Sequence, residues 1–343
     1  MKKAVVRGEC QAAVVEAPEL TPVENWVVVK VHAAPMCAEY KSFVAGTPTA
    51  VLGHEAAGEV VAVAQPGKVK VGDRVVAMPL YGCGRCALCH SGDYIHCQQQ
   101  PDFVAATGQS EGQATMAQYI LKQDWLLMPL PDGVPYERGA LACCGIGPSF
   151  GALQSMGVSA FDTLLITGLG PVGLGAIVNA RFRGTRVIAV ETVPWRAERA
   201  LAMGAAAVID PRDEGVLAQI LELTGGRGVD CALDCSGNVQ AERLCVDATR
   251  RKGKVAFVGE CYDDLHLQIS PDMIRKGLTL LGSWHYNLNE YPKIMQVIQE
   301  SPLLDQLISH VMPLSEIQAA FELSASHETA KIVLQPWTSG EHT

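Results

Sequence analysis

The feature that most restricts the fold is the run "TLLITGLGPVGLGAIVNARF" at residues 163–182. Its first five residues read as a buried strand, three glycines follow as Gly168-x-Gly170-x-x-Gly173, and the remainder reads as a helix. Glycine in this pattern allows a tight turn, lets backbone approach a pyrophosphate and permits close packing of helix on strand, while the helix N-terminus favours negative charge. Alone, such a glycine pattern is weak evidence. Here "RVIAVE" supplies a second strand, and Glu191 at its end stands where a carboxylate can accept both ribose hydroxyls of an adenosine and repel a 2′-phosphate. The run therefore predicts a dinucleotide site with NAD favoured over NADP, built on Gly168, Gly170, Pro171, Val172, Gly173 and Glu191. Arg196 is a nearby cation that could serve a 2′-phosphate instead.

The strand has companions. From about residue 150, "AAVID", "VDCALDCSG", "KVAFVG" and "LTLLGSW" alternate with helical stretches, the rhythm of a doubly wound parallel sheet. Residues 1 to about 140 differ. Valine-rich runs such as "NWVVVKVHA", "GEVVAVA" and "GDRVVAMPL", broken by Gly, Pro and Asp turns, predict an antiparallel β-domain, and "MKKAVVRG" reads as a surface strand. A helix, "EYPKIMQVIQE", and a final strand, "AKIVLQ", close the chain. At 343 residues it fits two domains, or one interrupted by another.

Composition excludes several classes of partner. A net charge of −9 leaves no electrostatic footprint for DNA or RNA. The most apolar run is studded with glycine and bounded by turn and charge signals, which argues against a membrane span, and the N-terminus reaches Arg7 and Glu9 after three apolar residues, unlike a signal peptide. A cytoplasmic location is expected, where a dense cysteine cluster among the twelve present indicates metal rather than disulfide.

That cluster is "YGCGRCALCHSGDYIHC", in which Cys83, Cys86, Cys89 and Cys97 follow C-x2-C-x2-C-x7-C. Four soft sulfur ligands on a turn-rich loop suit tetrahedral zinc with no open position, so the cluster predicts a structural staple and places the chemistry elsewhere. His90 and His96 are then solvated loop residues. Scattered candidates for an open site are Cys37 in "APMCAEYKSF", His54 and Glu55 in "LGHEAAGEV", and Cys144 in "LACCGIGPSFGAL". Each alone is an ordinary core residue. Together they supply the three-ligand set of a catalytic zinc whose vacant position takes an alcohol or carbonyl oxygen.

With these motifs in order, the chain resembles the zinc-dependent medium-chain dehydrogenases of the alcohol and polyol dehydrogenase superfamily. The resemblance runs through Cys37, "GHE" at 53–55, "VGDRV" at 71–75, the four-cysteine lobe, "CGIGPSFGAL" from Cys144, "GLGPVG" and "GVDCALDCSG" from Gly228. It implies an α/β chain with a GroES-like β-rich catalytic domain in two pieces, 1–146 and 286–343, the lobe at 81–100, and a Rossmann domain at 147–285 between them. It further implies two zinc ions: a catalytic one on Cys37, His54 and Cys144, with Cys143 a competitor for Cys144, and the structural one. Glu55 is implied as a ligand's neighbour or an exchangeable ligand. The nicotinamide would meet main chain near Val258, Ser283 and His285. "GSWHYNLNEYPKIM" is similar to the polyol branch, which makes His285 and Tyr286 candidates to face substrate. The implied activity is NAD-linked oxidation of a secondary alcohol in a sugar, polyol or cyclitol. The alternatives are a simple alcohol or aldehyde dehydrogenase and a silent zinc and nucleotide binder. A homodimer or homotetramer is implied, with "KGLTLLGSW" a candidate edge.

One departure stands out. The family carries C-x-[ST]-D after the zinc cysteine, the hydroxyl passing a proton toward solvent. This chain reads Cys37-Ala38-Glu39-Tyr40. A carboxylate there predicts that Glu39 accepts the substrate proton itself, and that the site favours cationic over carboxylated substrates.

Overall fold

The structure is a computed structural model and describes residues 1–337. Its contacts divide the described residues into two compact units: residues 1–145, 287–300 and 308–337 form the first, and residues 146–286 and 301–307 the second.

Strands β1 (Lys2–Gly8) and β2 (Gln11–Glu16) form an antiparallel pair in the first unit, followed by β3 (Trp26–Pro35), β4 (Ala56–Ala62), β5 (Arg74–Ala77), β6 (Tyr119–Gln123) and β7 (Leu127–Pro129). β3 is the spine. Its residues alternate between two apolar layers, so Val27, Val29 and Val31 join the main core while Trp26 and Val28 face Phe103 and Leu121. A strand apolar on both faces must be covered on both, and antiparallel pairing with β4 and β6 secures its edges. β1 is not the surface strand its lysines suggest: Ala4 and Val6 are buried in the main core, and their amides donate to Met116 O and Thr49 O.

The second unit is a six-stranded sheet built from β8 (Thr163–Thr167), β9 (Arg186–Val190), β10 (Ala207–Ile209), β11 (Val229–Asp234), β12 (Thr249–Phe257) and β13 (Thr279–Gly282). All pairings are parallel, in the order β10-β9-β8-β11-β12-β13. This is the doubly wound dinucleotide-binding order, with the reversal beside β8 where the glycine turn leaves the sheet. β13, the predicted edge, is at the edge. Residues 301–307 belong with this unit rather than with the C-terminal piece, because Leu304 and Leu307 are fully buried and Arg199 Nε donates to Gln306 O at 2.7 Å.

Two strands return to the first unit. β15 (Lys331–Gln335) lies parallel to β14 (Ile308–Pro313) and pairs antiparallel with β3 through Val333–Pro35 and Leu334–Ala34. The helix Ile317–Ala325 precedes it, and Ile317, Ala320 and Phe321 make its buried stripe at i, i+3, i+4. Phe321 stacks on Phe43 at 5.1 Å between centroids. Among the described residues no helix is long and apolar enough to cross a membrane.

Candidate active site

The four cysteines of the 81–97 lobe come together on the short helix Ala87–Ser91 and the turns around it. Their sulfurs lie 3.9 Å (Cys83–Cys89), 3.5 Å (Cys86–Cys89) and 3.9 Å (Cys86–Cys97) apart. A tetrahedron of sulfurs about 2.3 Å from a zinc ion has edges of about 3.8 Å, so the set matches the ion in shape as well as chemistry. Backbone N–H groups also point at sulfur, Cys86 N to Cys83 Sγ and Cys83 N to Cys97 Sγ, both at 3.3 Å. Backbone donors at Arg85 and Cys86 bring the Cys83 thiol down to about 6, toward the thiolate a metal requires. His90 and His96 are exposed.

The second set is Cys37, His54, Glu55 and Cys144, each offering a ligand atom within 4.8 Å of the others. They reach this point from separate elements: Cys37 just after β3, His54 and Glu55 just before β4, and Cys144 in the turn that ends the first segment. Cys143 turns away, its buried thiol donating to Ala77 O at 3.3 Å. Cys37 sits well below the ordinary thiol range, chiefly because the Cys144 thiol bonds to it, with Lys331 and His54 adding positive field against the opposing effect of burial. Two sulfurs, an imidazole and a carboxylate form a donor set suited to zinc.

The partners behind this set are specific. Glu39 Oε1 lies 3.0 Å from His54 Nδ1, and its Oε2 accepts the Cys37 N–H at 2.7 Å. With Nδ1 facing a carboxylate, Nε2 is the nitrogen left for the cluster, lying 3.9 Å from Glu55 Oε1. Glu39 Oε2 is thus engaged by the Cys37 amide, while Oε1 approaches His54 Nδ1 without a well-formed hydrogen bond, so the carboxylate is directed at the cluster's own residues. Tyr40, at the family's Asp position, is a packing residue set edge-on to His327 at 5.4 Å.

Lys331 escaped the sequence reading. It is fully buried on β15, and its ammonium donates to Glu55 Oε1 and, at 3.1 Å, to Met36 O. Glu55 Oε2 accepts the Cys144 N–H at 3.1 Å. Burial alone would neutralise Lys331, but Glu55, Cys37 and Cys144 together raise its pKa and keep it charged. The only trace in the sequence is a lysine inside the apolar run "AKIVLQ".

In the second unit the three glycines have separate reasons. Gly168 has φ +79°, and a Cβ there would meet Ser236 at 2.6 Å; a Cβ on Gly173 would strike Gly168 O. A Cβ on Gly170 would meet only Arg196, at 3.9 Å, so the protein does not need that glycine while an approaching pyrophosphate would. Gly170 caps the helix Pro171–Phe182, whose N-terminus begins at Pro171, Val172 and Gly173. Glu191 is buried, with Oε2 accepting Leu169 N–H at 2.6 Å and Oε1 accepting Thr192 and Val193 N–H at 2.7 and 2.9 Å. It thus ties the glycine turn to the end of β9. Val258 and Ser283 follow the ends of β12 and β13, their amides donating to Asp234 O and Phe257 O. His285 and Tyr286 stack at 4.5 Å, and Tyr286 is buried edge-on to Phe150, so its ring is a packing element of this unit.

Comparison with known proteins agrees with both halves. Residues 23–132 match the alcohol dehydrogenase GroES-like domain, and residues 171–300 match the zinc-binding dehydrogenase domain. The chain is 33% identical to a sorbitol dehydrogenase of Bacillus subtilis over 98% of its own length and 97% of the relative's. It is 30% identical to a D-arabitol-phosphate dehydrogenase of Enterococcus avium, over 93% and 91%. Among solved structures, an alcohol dehydrogenase from Thermus sp. ATN1 superposes with a TM-score of 0.88 at 26% identity, covering 98% of this chain and all of that one. The chain belongs to the zinc-dependent medium-chain dehydrogenase/reductase family.

Proposed function

We propose that this protein is an NAD-linked zinc dehydrogenase acting on a secondary hydroxyl of a sugar, polyol or cyclitol. The observation that carries the reading is the convergence of Cys37, His54 and Cys144, with Glu55 beside them, in a chain that also holds a glycine-cradled dinucleotide unit. The relatives named for sorbitol and arabitol phosphate support a polyhydroxy substrate. When bound, zinc would supply Lewis acidity toward a hydroxyl oxygen and NAD would supply the hydride acceptor.

The chain's own residues divide the remaining work. Cys37, His54 and Cys144 hold the catalytic ion and the 83–97 cysteines the structural one. Lys331 neutralises Glu55 and holds it beside the cluster. Gly170 and the N-terminus of Pro171–Phe182 receive the pyrophosphate, and Glu191, re-aimed from its backbone donors, receives the ribose. The test is a panel of polyols, inositols, sugars and short alcohols with NAD and with NADP, followed by absorbance of the reduced cofactor. Turnover confined to short alcohols would replace the polyol reading, and tight NAD binding without any turnover would favour a silent binder.

Glu39 acts on His54 in this reading, not on the substrate proton. Glu39→Gln leaves an amide that can accept at one oxygen only and turns an NH2 toward Cys37 N–H or His54. Zinc affinity at the catalytic set is expected to fall about 10–100-fold, read by chelator competition, while the four-cysteine ion stays bound. Unchanged affinity would restore Glu39 as a free proton acceptor.

Glu191→Ala is expected to weaken NADH about tenfold or more and NADPH much less, because it removes acceptors for the ribose and a charge that repels a 2′-phosphate. Nicotinamide fluorescence titrations measure both. A wild-type preference for NADPH would overturn the cofactor assignment.

A further inference from the structure

Three lysines are buried among the described residues: Lys3, Lys122 and Lys331. Lys3 bonds to Glu111 and Lys331 to Glu55. Lys122, on β6, has no carboxylate within ion-pair reach among those residues. Its ammonium donates to Leu80 O and lies 4.5 Å from the centre of the Tyr81 ring. A buried cation held only by a carbonyl and an aromatic face has lost most of its hydration without a counter-charge, and burial pulls it down to about 7.

The same residues line a cavity. Leu80, Tyr81 and Lys122 share a space of about 120 Å³ with Gln113, Thr115 and His54. Since one water needs about 10–15 Å³ measured in this way, the space admits a charged headgroup with a carbon or two. Thr115 is 6% exposed, and its Oγ1 has no hydrogen-bond partner among the described residues. That hydroxyl stands beside the backbone preceding His54, where a Cβ on Gly53 would meet Oγ1 at 2.4 Å. One cavity thus combines an ammonium without a counter-ion, an orphan hydroxyl and a residue of the metal set.

We propose that this cavity is an anion-recognition subsite, in which Lys122 and Thr115 bind the carboxylate or phosphate of a substrate whose hydroxyl is presented at Cys37, His54 and Cys144. The inference rests on the dehydrogenase reading and narrows it to hydroxylated oxyanions: hydroxy or sugar acids, or phosphorylated polyols. It reverses the selectivity drawn from Glu39, whose charge is directed at His54 and the Cys37 amide, whereas the unpaired charge of the cavity is positive.

The test is calorimetric titration of the zinc-loaded protein with NADH present, using glycerol, glycerate and glycerol 3-phosphate. At least one anion is expected to bind tenfold or more tighter than glycerol, and which one does so distinguishes carboxylate from phosphate. Lys122→Met should remove that advantage and leave glycerol binding alone; Lys122→Arg should keep part of it. Thr115→Val, isosteric without the hydroxyl, should weaken the anion several-fold and gives an independent reading if the methionine variant does not fold. Anions binding no tighter than glycerol, or binding that survives Lys122→Met because the metal alone carries it, would overturn the subsite. Turnover is scored separately. Lys122-dependent anion binding without oxidation of any hydroxyl compound would sink the dehydrogenase reading and leave the subsite standing.

Discussion

A Cys89→Ser variant is expected to lose one zinc ion per chain and to unfold its lobe, while NADH affinity survives. Cys89 is one of the two buried members of the set, 3.9 Å from Cys83 Sγ and 3.5 Å from Cys86 Sγ, so removing it leaves a three-sulfur site with a weak, poorly placed hydroxyl as its fourth donor. Zinc binding in small structural sites is worth on the order of 10 kcal/mol of folding free energy. The segment's regular structure is one five-residue helix and a three-residue turn, and its apolar anchors, Tyr94 and Ile95, lie in the turn rather than around the sulfurs. Atomic emission would count the metal, and limited proteolysis would cut within 81–100. Full metal content would show that the four sulfurs do not form the structural site.

Lys331→Met carries the second large effect. It leaves Glu55, fully buried and beside two thiols, without its counter-ion, and breaking a buried pair from one side costs about 3–5 kcal/mol. At roughly 2–4 °C per kcal/mol for a unit of this size, the melting temperature of the metal-free protein should fall by about 6–20 °C. Glu55→Gln in the same background should recover much of the loss, since a neutral amide needs no ammonium. If the double variant melts no higher than Lys331→Met, Lys331 contributes packing and not charge. Zinc would supply a partial substitute for the ammonium, so added metal should narrow the gap between Lys331→Met and wild type.

The sequence made legible whatever local chemistry dictates. Four cysteines at fixed spacing can meet without help from the rest of the chain, and a glycine turn between strand and helix declares its backbone geometry. The strands of the second unit were visible because a sheet covered on both faces needs continuous apolar runs. What stayed hidden depended on distant segments. Lys331 and Lys122 look alike as lysines within apolar strands, yet one meets a carboxylate from the β4 approach and the other meets a carbonyl and an aromatic ring. Glu39 was visible as a carboxylate in an unusual place, but its role depends on a side-chain direction set by His54, fifteen positions on. The placement of residues 301–307 turned on Arg199 and buried leucines, which no boundary signal announces.

The pairing of β15 with β3 has a consequence for how the molecule comes into being. Lys331 and its acceptor Met36 O are 295 residues apart in sequence, so the strand that delivers the counter-ion to Glu55 leaves the ribosome long after the residues it meets. At about 5–20 residues per second, Cys37, His54 and Glu55 wait many seconds for it, while residues 146–286 are already available to form their parallel sheet. Closing so long a loop is slow compared with pairing neighbouring strands. The residues of the parallel sheet are therefore all synthesised before the ion pair at Glu55 can be made. Until β15 pairs with β3, Glu55 has no ammonium beside it, so the charge balance around Cys37, His54 and Cys144 is completed late in synthesis.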